Sequence, residues 1–287
     1  MRSYRAAVAG TLAAATLLTG GCGASEPGTA TSPAQQASQL ARALREWSGF
    51  PVSASPRPLV LATVAGGPSR IIDPGTGFRD GADKLAYLDR AIDVPAALPA
   101  GPAAAAGYPL ISARQGLRVL MSGAAQGPPA TARLKITGVR LGTRAFDTDR
   151  GAQRLPAWLF RFAGVQSPAA VLAVSPAGLY APPGDLPRTS PVVDGATLGA
   201  DGRTLVVHFT GLAAGTGPCT AGYSLRFSQS RTAVAVSVIA HNHSGSDSCS
   251  AVGYGRQASV VLPAPLAARV LVDAASGTAI PADAAAR

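Results

Sequence analysis

Apolar and polar positions alternate most clearly between Leu134 and Val174, where LKITGVRLGTRAFDTDRGAQRLPAWLFRFAGVQSPAAVLAV reads as three β segments divided by two polar breaks. Leu134, Ile136 and Val139 begin the first segment, and Gly138 interrupts strict alternation as a β-bulge would. Trp158, Phe160 and Phe162 alternate in the second segment. Upstream, Pro33 to Trp47 has helix grammar: Ser32 can cap, Pro33 suits the first turn, and Leu40, Leu44 and Trp47 form one apolar stripe. Leu59 to Val64 reads as a short strand. Asp73-Pro74-Gly75 is turn chemistry, and Leu85, Leu88 and Ile92 suit a short helix. Pro95 to Pro109 is Ala, Pro and Gly, an exposed loop by composition, and Ser112 to Met121 fits one more helix.

Beyond Ala181 to Pro191, a Pro-rich polar stretch, the pattern is all β. Asp201-Gly202 is a hairpin signal, and Thr204 to Phe209, Tyr223 to Phe227 and Ala233 to Ile239 alternate. Ser259 to Leu262 is short and apolar, and Arg269 to Val272 suits an edge strand. Five or more short strands in about 100 residues predict an antiparallel sandwich or small barrel. The fold class expected is therefore an α+β part over residues 36–186, then a β-sandwich-like part over 187–287. At 287 residues, two modest domains suit the chain better than one.

The first residues carry an address. Met1 to Arg5 holds two Arg, Ala6 to Thr19 is apolar and small, and LTGGC follows at Leu18 to Cys22. This is the order of a secretory signal, and the apolar run is shorter than the roughly 18 to 20 residues that span a bilayer. LTGGC resembles the lipobox of bacterial lipoproteins, in which the Cys receives a diacylglyceryl group and becomes the mature N-terminus. It departs from that pattern at Thr19, where the family usually has Leu, Val or Ile. The resemblance implies a signal peptide over 1–21, lipidation at Cys22, and acyl chains such as palmitate that hold the protein on the outer face of the cell membrane. A flexible tether over 22–35 would follow.

The formal charge is +10, or +8 once Arg2 and Arg5 are removed with the signal. The Arg residues are scattered in sequence, with no basic run and no interleaved aromatics, which argues against nucleic acid as a partner. Attraction to anionic envelope polymers or lipid head groups remains.

With Cys22 assigned to lipid, Cys219 and Cys249 are left in two loops, and an even remainder in an exported chain predicts a disulfide between them. Three candidate chemistries follow from the residues. His241 and His243 would point the same way on a strand, and with Asp247 they supply three metal ligands and an open position, the set of a metal-dependent hydrolase. Trp158, with Arg161 nearby and Tyr180, would form a stacking platform for glycan or peptidoglycan, against the alternative that Trp158 is core. FDTDRG at Phe146 to Gly151 has the opening of a calcium loop but places Trp158 where the bidentate Glu is required, so Asp147 or Asp149 is expected to bond local backbone N–H groups. Serine-hydrolase elbows, phosphate loops and dinucleotide fingerprints are absent from the sequence. No cofactor is expected.

The lipobox-like start, the central FDTDRG with LPAWLF, and the late CTAGYSL with CSAVGYGRQASVVLPAPLAARVLVDAASG are together similar to secreted lipoproteins of high-GC actinobacteria. That resemblance implies the address and the two-part layout and transfers no catalytic residue. The reading that results is a cell-envelope lipoprotein, a non-catalytic binding or interaction module whose partners are the membrane, through its lipid, and a cell-wall polymer or another envelope protein.

Overall fold

A capping box opens the first helix: Ser32 Oγ accepts from the Gln35 N–H at 3.2 Å, and the Gln35 side chain accepts from the Ser32 N–H at 2.8 Å. The computed structural model describes residues 32–62, 69–75, 77–122, 129–182, 193–242, 249 and 252–284. Cys22, the expected signal segment and most of the expected tether, together with His243 and Asp247, lie outside the described residues. Helix α1 (Pro33–Glu46) begins inside the last residues of the expected tether, because the Ser32 cap and Pro33 already dictate a first turn.

The chain continues through β1 (Ile71–Ile72), α2 (Gly81–Leu88), β2 (Ile92–Asp93), a small ribbon of β3 (Ala104–Ala105) and β4 (Tyr108–Pro109), and α3 (Ala113–Met121). The long hairpin follows, β5 (Leu134–Thr148) and β6 (Gly151–Phe162), and then β7 (Ala169–Leu172). The remainder is β8 (Val193–Leu198), β9 (Thr204–Gly211), β10 (Ala221–Gln229), β11 (Ala233–Asn242), β12 (Tyr254–Val261), β13 (Val270–Asp273) and β14 (Ala282–Ala284). Among the described residues no helix is long and apolar enough to cross a membrane.

The described fold is mostly β, with three α-helices. A five-stranded sheet has the order β1-β7-β6-β5-β2, and a register shift between Ile136 and Gly138 lies where alternation breaks in the sequence. Both of its faces are covered. Trp158, Phe160 and Phe162 join Leu117 and Leu120 of α3 and Tyr87 of α2 on one side. Leu155, Ala157 and Leu159 join Leu59, Phe146 and Leu172 on the other. Hence Leu155 to Phe160 are buried without interruption. Leu59 and Leu61, expected as part of a strand, make only isolated bridges, to Leu179 and Thr148, and lie across the hairpin as a cover.

Two smaller sheets, β10-β11-β13 and β12-β9-β8-β14, share one apolar cluster that includes Val207, Phe209, Val234, Val236, Leu262 and Leu271. They are not purely antiparallel as expected: β13 runs parallel to β11, and β14 parallel to β8. The reason is that the last strands return to their sheets by longer connections rather than tight hairpins. Strand β13 ends its sheet, yet all four of its residues are buried. Helix α1 covers this outer side: Leu40, Ala43 and Trp47 pack on Ala233, Ala235, Val270 and Val272. In β11 the Val residues face the neighbouring sheet and the Ala residues face the helix, because only a small side chain admits a helix that close. Residues 32–287 thus form one unit in which the first helix packs against strands from the far end of the chain.

Candidate functional site

The turn between β5 and β6 is the FDTDRG stretch, and its acid does not cap local backbone. Thr148 does that: its hydroxyl accepts from the Arg150 N–H at 3.1 Å and donates to the Gly151 carbonyl at 2.8 Å. The Asp149 carboxylate is buried and is gripped by the Arg57 guanidinium, Nη1 to Oδ1 at 3.2 Å and Nη2 to Oδ2 at 2.5 Å, with Arg150 Nε 3.6 Å from Oδ2. Both cations also reach the end of the chain: Arg57 Nε donates to the Ala268 carbonyl, and Arg150 donates to the carbonyls of Ala267 and Arg269. The Asp149 carbonyl accepts from the Ala282 N–H at 3.2 Å. Gly151 has φ +73°, and the Asp283 carboxylate occupies the place where its Cβ would stand. The motif is a structural clamp between the long hairpin and residues 267–283.

Of the expected stacking platform, Trp158 is 1% exposed, and its indole N–H donates to the Ile111 carbonyl at 2.8 Å. Tyr180 lies in a different apolar cluster, its ring 5.6 Å from that of Trp47 and 5.0 Å from that of Phe50. Arg161 is exposed on β6. The three do not share one surface, and Trp158 has no free face on which a sugar could stack; it fills the core, the alternative that its spacing with Phe160 and Phe162 already offered.

Cys219 and Cys249 are joined in a disulfide across a sequence separation of 30. Nearby, the exposed His241 hydrogen-bonds through Nε2 to Ser224 Oγ at 2.8 Å, across the β10–β11 pair. That bond leaves His241 only its Nδ1 for a metal. Among the described residues no group of three His, Cys, Asp or Glu side chains is placed to hold a metal ion.

The hairpin assembles something that the linear sequence disperses. Cross-strand partners share a face, and Leu155 and Leu159 point into the cluster opposite α3. Their partners Arg144 and Arg140 therefore lie on that same face, and so does Arg161, two residues from Leu159. The cover formed by Leu59, Leu61 and Leu179 protects β6 and β7, while β2 pairs with β5 only at Leu134 and Lys135, so the Arg140 to Arg144 margin of β5 is open. Lys135 lies on this face too, opposite Asp93, whose carboxylate is paired with Arg133. Among the described residues Arg140, Arg144 and Arg161 make no ion pair. The Arg140 guanidinium extends over Gly142, where a Cβ would come within 3.1 Å of Nη1. An open cleft of about 340 Å³ adjoins Arg144 and is also lined by Arg154, Thr143, Ser167 and Asp73. Arg154 donates to the Thr143 hydroxyl at 3.1 Å, and the Asp73 carboxylate accepts from the buried Tyr87 hydroxyl at 2.5 Å. The sequence signal for this row was the even spacing of Arg140 and Arg144, set against that of Leu155, Leu159 and Arg161; the three are never consecutive.

No protein-family model, curated protein or solved structure matches this chain.

Proposed function

We propose that the chain is an exported, lipid-anchored envelope protein whose folded body works outside the membrane as a binding module, without a catalytic step of its own. The observation that carries this reading is the Cys219–Cys249 disulfide, because such bonds persist where thiols are not kept reduced, as they are outside the cytoplasmic membrane. The LTGGC sequence ending at Cys22 supplies the matching address. Within this reading the five-stranded sheet with α2 and α3 belongs to the α+β part over 36–186, and the two smaller sheets belong to the sandwich part over 187–287, with α1 crossing from the first to the second.

Metabolic labelling of the full chain with an alkyne-bearing palmitate tests the anchor. Label on the wild type, held in the membrane fraction, and its loss in Cys22→Ala are expected; an unlabelled wild type would sink the lipoprotein reading. The metal-dependent hydrolase using His241, His243 and Asp247 is separated by metal content. Stoichiometric zinc that disappears in His241→Ala/His243→Ala would replace the binding reading with catalysis.

A further inference from the structure

We infer that the row of Arg161, Arg140 and Arg144 is a binding site for a linear phosphate-bearing polymer. The inference deepens the envelope binding reading and rests on it.

Three features of the row select such a ligand. First, its charges are uncommitted: the three guanidiniums form no ion pair among the described residues, whereas Arg57, Arg79, Arg133 and Arg150 are each paired with an acid. A guanidinium offers a planar fork of donors that fits phosphate oxygens two at a time. Second, the charges lie in a line. Arg161 and Arg140 are diagonal neighbours across the β5–β6 pair, about 7 Å apart at Cβ. Arg140 and Arg144 are four residues apart on one strand, about 13 Å. A chain carrying one negative group every 7 Å or so meets all three, the last interval spanning two repeats. Third, the row is narrow. On one side stands the apolar cover of β6 and β7, and on the other the strand margin is free, so an extended polymer fits it better than a flat lipid surface does. Gly142 contributes by letting the Leu159 side chain and the Arg140 guanidinium lie over the strand, where a Cβ would come within 2.7 Å of Leu159 Cδ1 and 3.1 Å of Arg140 Nη1. Nucleic acid fits less well, since among the described residues no exposed aromatic ring accompanies the row on which bases could stack: Phe160 and Phe162, which flank Arg161 in β6, are buried on the opposite face.

The test uses the full chain in detergent micelles and long-chain inorganic polyphosphate as the probe, with binding followed by fluorescence anisotropy against salt. Arg140→Gln/Arg144→Gln/Arg161→Gln removes the row, and Arg114→Gln/Arg118→Gln/Arg226→Gln removes three exposed arginines elsewhere with the same change in net charge. The row variant is expected to bind at least about tenfold more weakly, with a salt slope shallower by about two, while the second variant stays within about twofold of wild type. Equal losses in both variants would reduce the effect to general positive charge and overturn the site. So would undetectable binding by the wild type. Vesicles with anionic head groups and a single-stranded DNA oligomer are run beside the polymer, and row-dependent binding to either one in preference to polyphosphate would overturn the inference in favour of that partner. If the triple variant loses its fold by circular dichroism, Arg140→Gln/Arg161→Gln carries the same comparison. Because the palmitate-labelling experiment reads the anchor independently, a labelled protein that ignores polyphosphate refutes the ligand and leaves the envelope address intact.

Discussion

Asp149 shows how a residue's role depends on partners that the sequence places far away. Its neighbours suggested a turn acid bonding local N–H groups; Thr148 performs that task, and Asp149 instead meets Arg57, 92 residues earlier. A carboxylate this buried is tolerated only with its charge matched, and removing one partner of such a pair costs several kcal/mol. Asp149→Ala should therefore lower the unfolding free energy by about 3 kcal/mol, towards the low end of that range because the Arg57 side chain is 21% exposed and retains contact with water. Urea titration reads it as a shifted midpoint with an unchanged slope. A loss below about 1 kcal/mol would mean that the carbonyls of Ala267, Ala268 and Arg269 hold the guanidiniums by themselves. Asp201 is the opposite case, a residue whose role was legible because its partners are adjacent. In the β8–β9 turn its carboxylate accepts from the backbone N–H groups of Thr204 at 2.8 Å and Arg203 at 2.9 Å, and from the Thr204 hydroxyl. The backbone donors, Thr204 first, hold its pKa down from 3.8 to about 2. With the folded value below the unfolded one, the carboxylate stabilises the fold above 3.8, and that contribution is lost as the pH falls through about 2. Asp201→Ala should be less stable than wild type at neutral pH, and thermal melts at descending pH should show the gap closing across that interval. A gap independent of pH would assign the loss to backbone conformation and not to the charge.

At the scale of elements, legibility followed the range of the cause. Helices α1 and α3 each start at a Ser whose capping box is written in four consecutive residues, Ser32 to Gln35 and Ser112 to Gln115. The hairpin β5–β6 was readable from its own alternation, and the bulge from Gly138 alone. What was not readable depended on the faces that meet. Val193 to Leu198, VDGATL, lacks a strand-like apolar alternation, and it becomes β8 because β9 and β14 pair with it on both edges. Leu59 to Val64 has the composition of a strand, and of its described residues Leu59 and Leu61 are used as single bridges, because the five-stranded sheet already ends in β1 on one side and β2 on the other. Strand β13 was legible as a terminal strand but not as a buried one, since nothing in VLVD announces that a helix from residues 33–46 lies over it. The arginine row belongs to the same class: each Arg looks like solitary surface charge until the β5–β6 register places three of them on one face.

The whole molecule raises the question of whether the two parts expected from the sequence unfold separately. A change of composition at 181–191 suggested a boundary there, yet the contacts cross it at two places. The Asp149 clamp ties the long hairpin to residues 267–283, and α1 with Trp47 and Phe50 is packed into the same cluster as Ala233, Ala235, Val270 and Val272. Trp47 also donates its indole N–H to the Gly277 carbonyl at 2.9 Å. A boundary crossed by guanidinium-to-carbonyl hydrogen bonds and a buried apolar cluster should transmit unfolding from one side to the other, although bodies above about 150 residues commonly populate intermediates. The chain's two Trp residues report on this directly, because Trp47 lies in the cluster shared with strands β11 and β13 and Trp158 lies in the core of the five-stranded sheet. Single-Trp proteins made by Trp47→Phe and Trp158→Phe each carry one reporter, and each is compared with far-UV circular dichroism in the same protein. If the body is one cooperative unit, fluorescence and circular dichroism give the same urea midpoint within each variant, even though the two substitutions shift stability by different amounts. A Trp158 transition that separates from the dichroism change, with Trp47 unfolding at another midpoint, would instead make the Asp149 clamp a docking contact between two independently stable domains, and Asp149→Ala would then widen the separation.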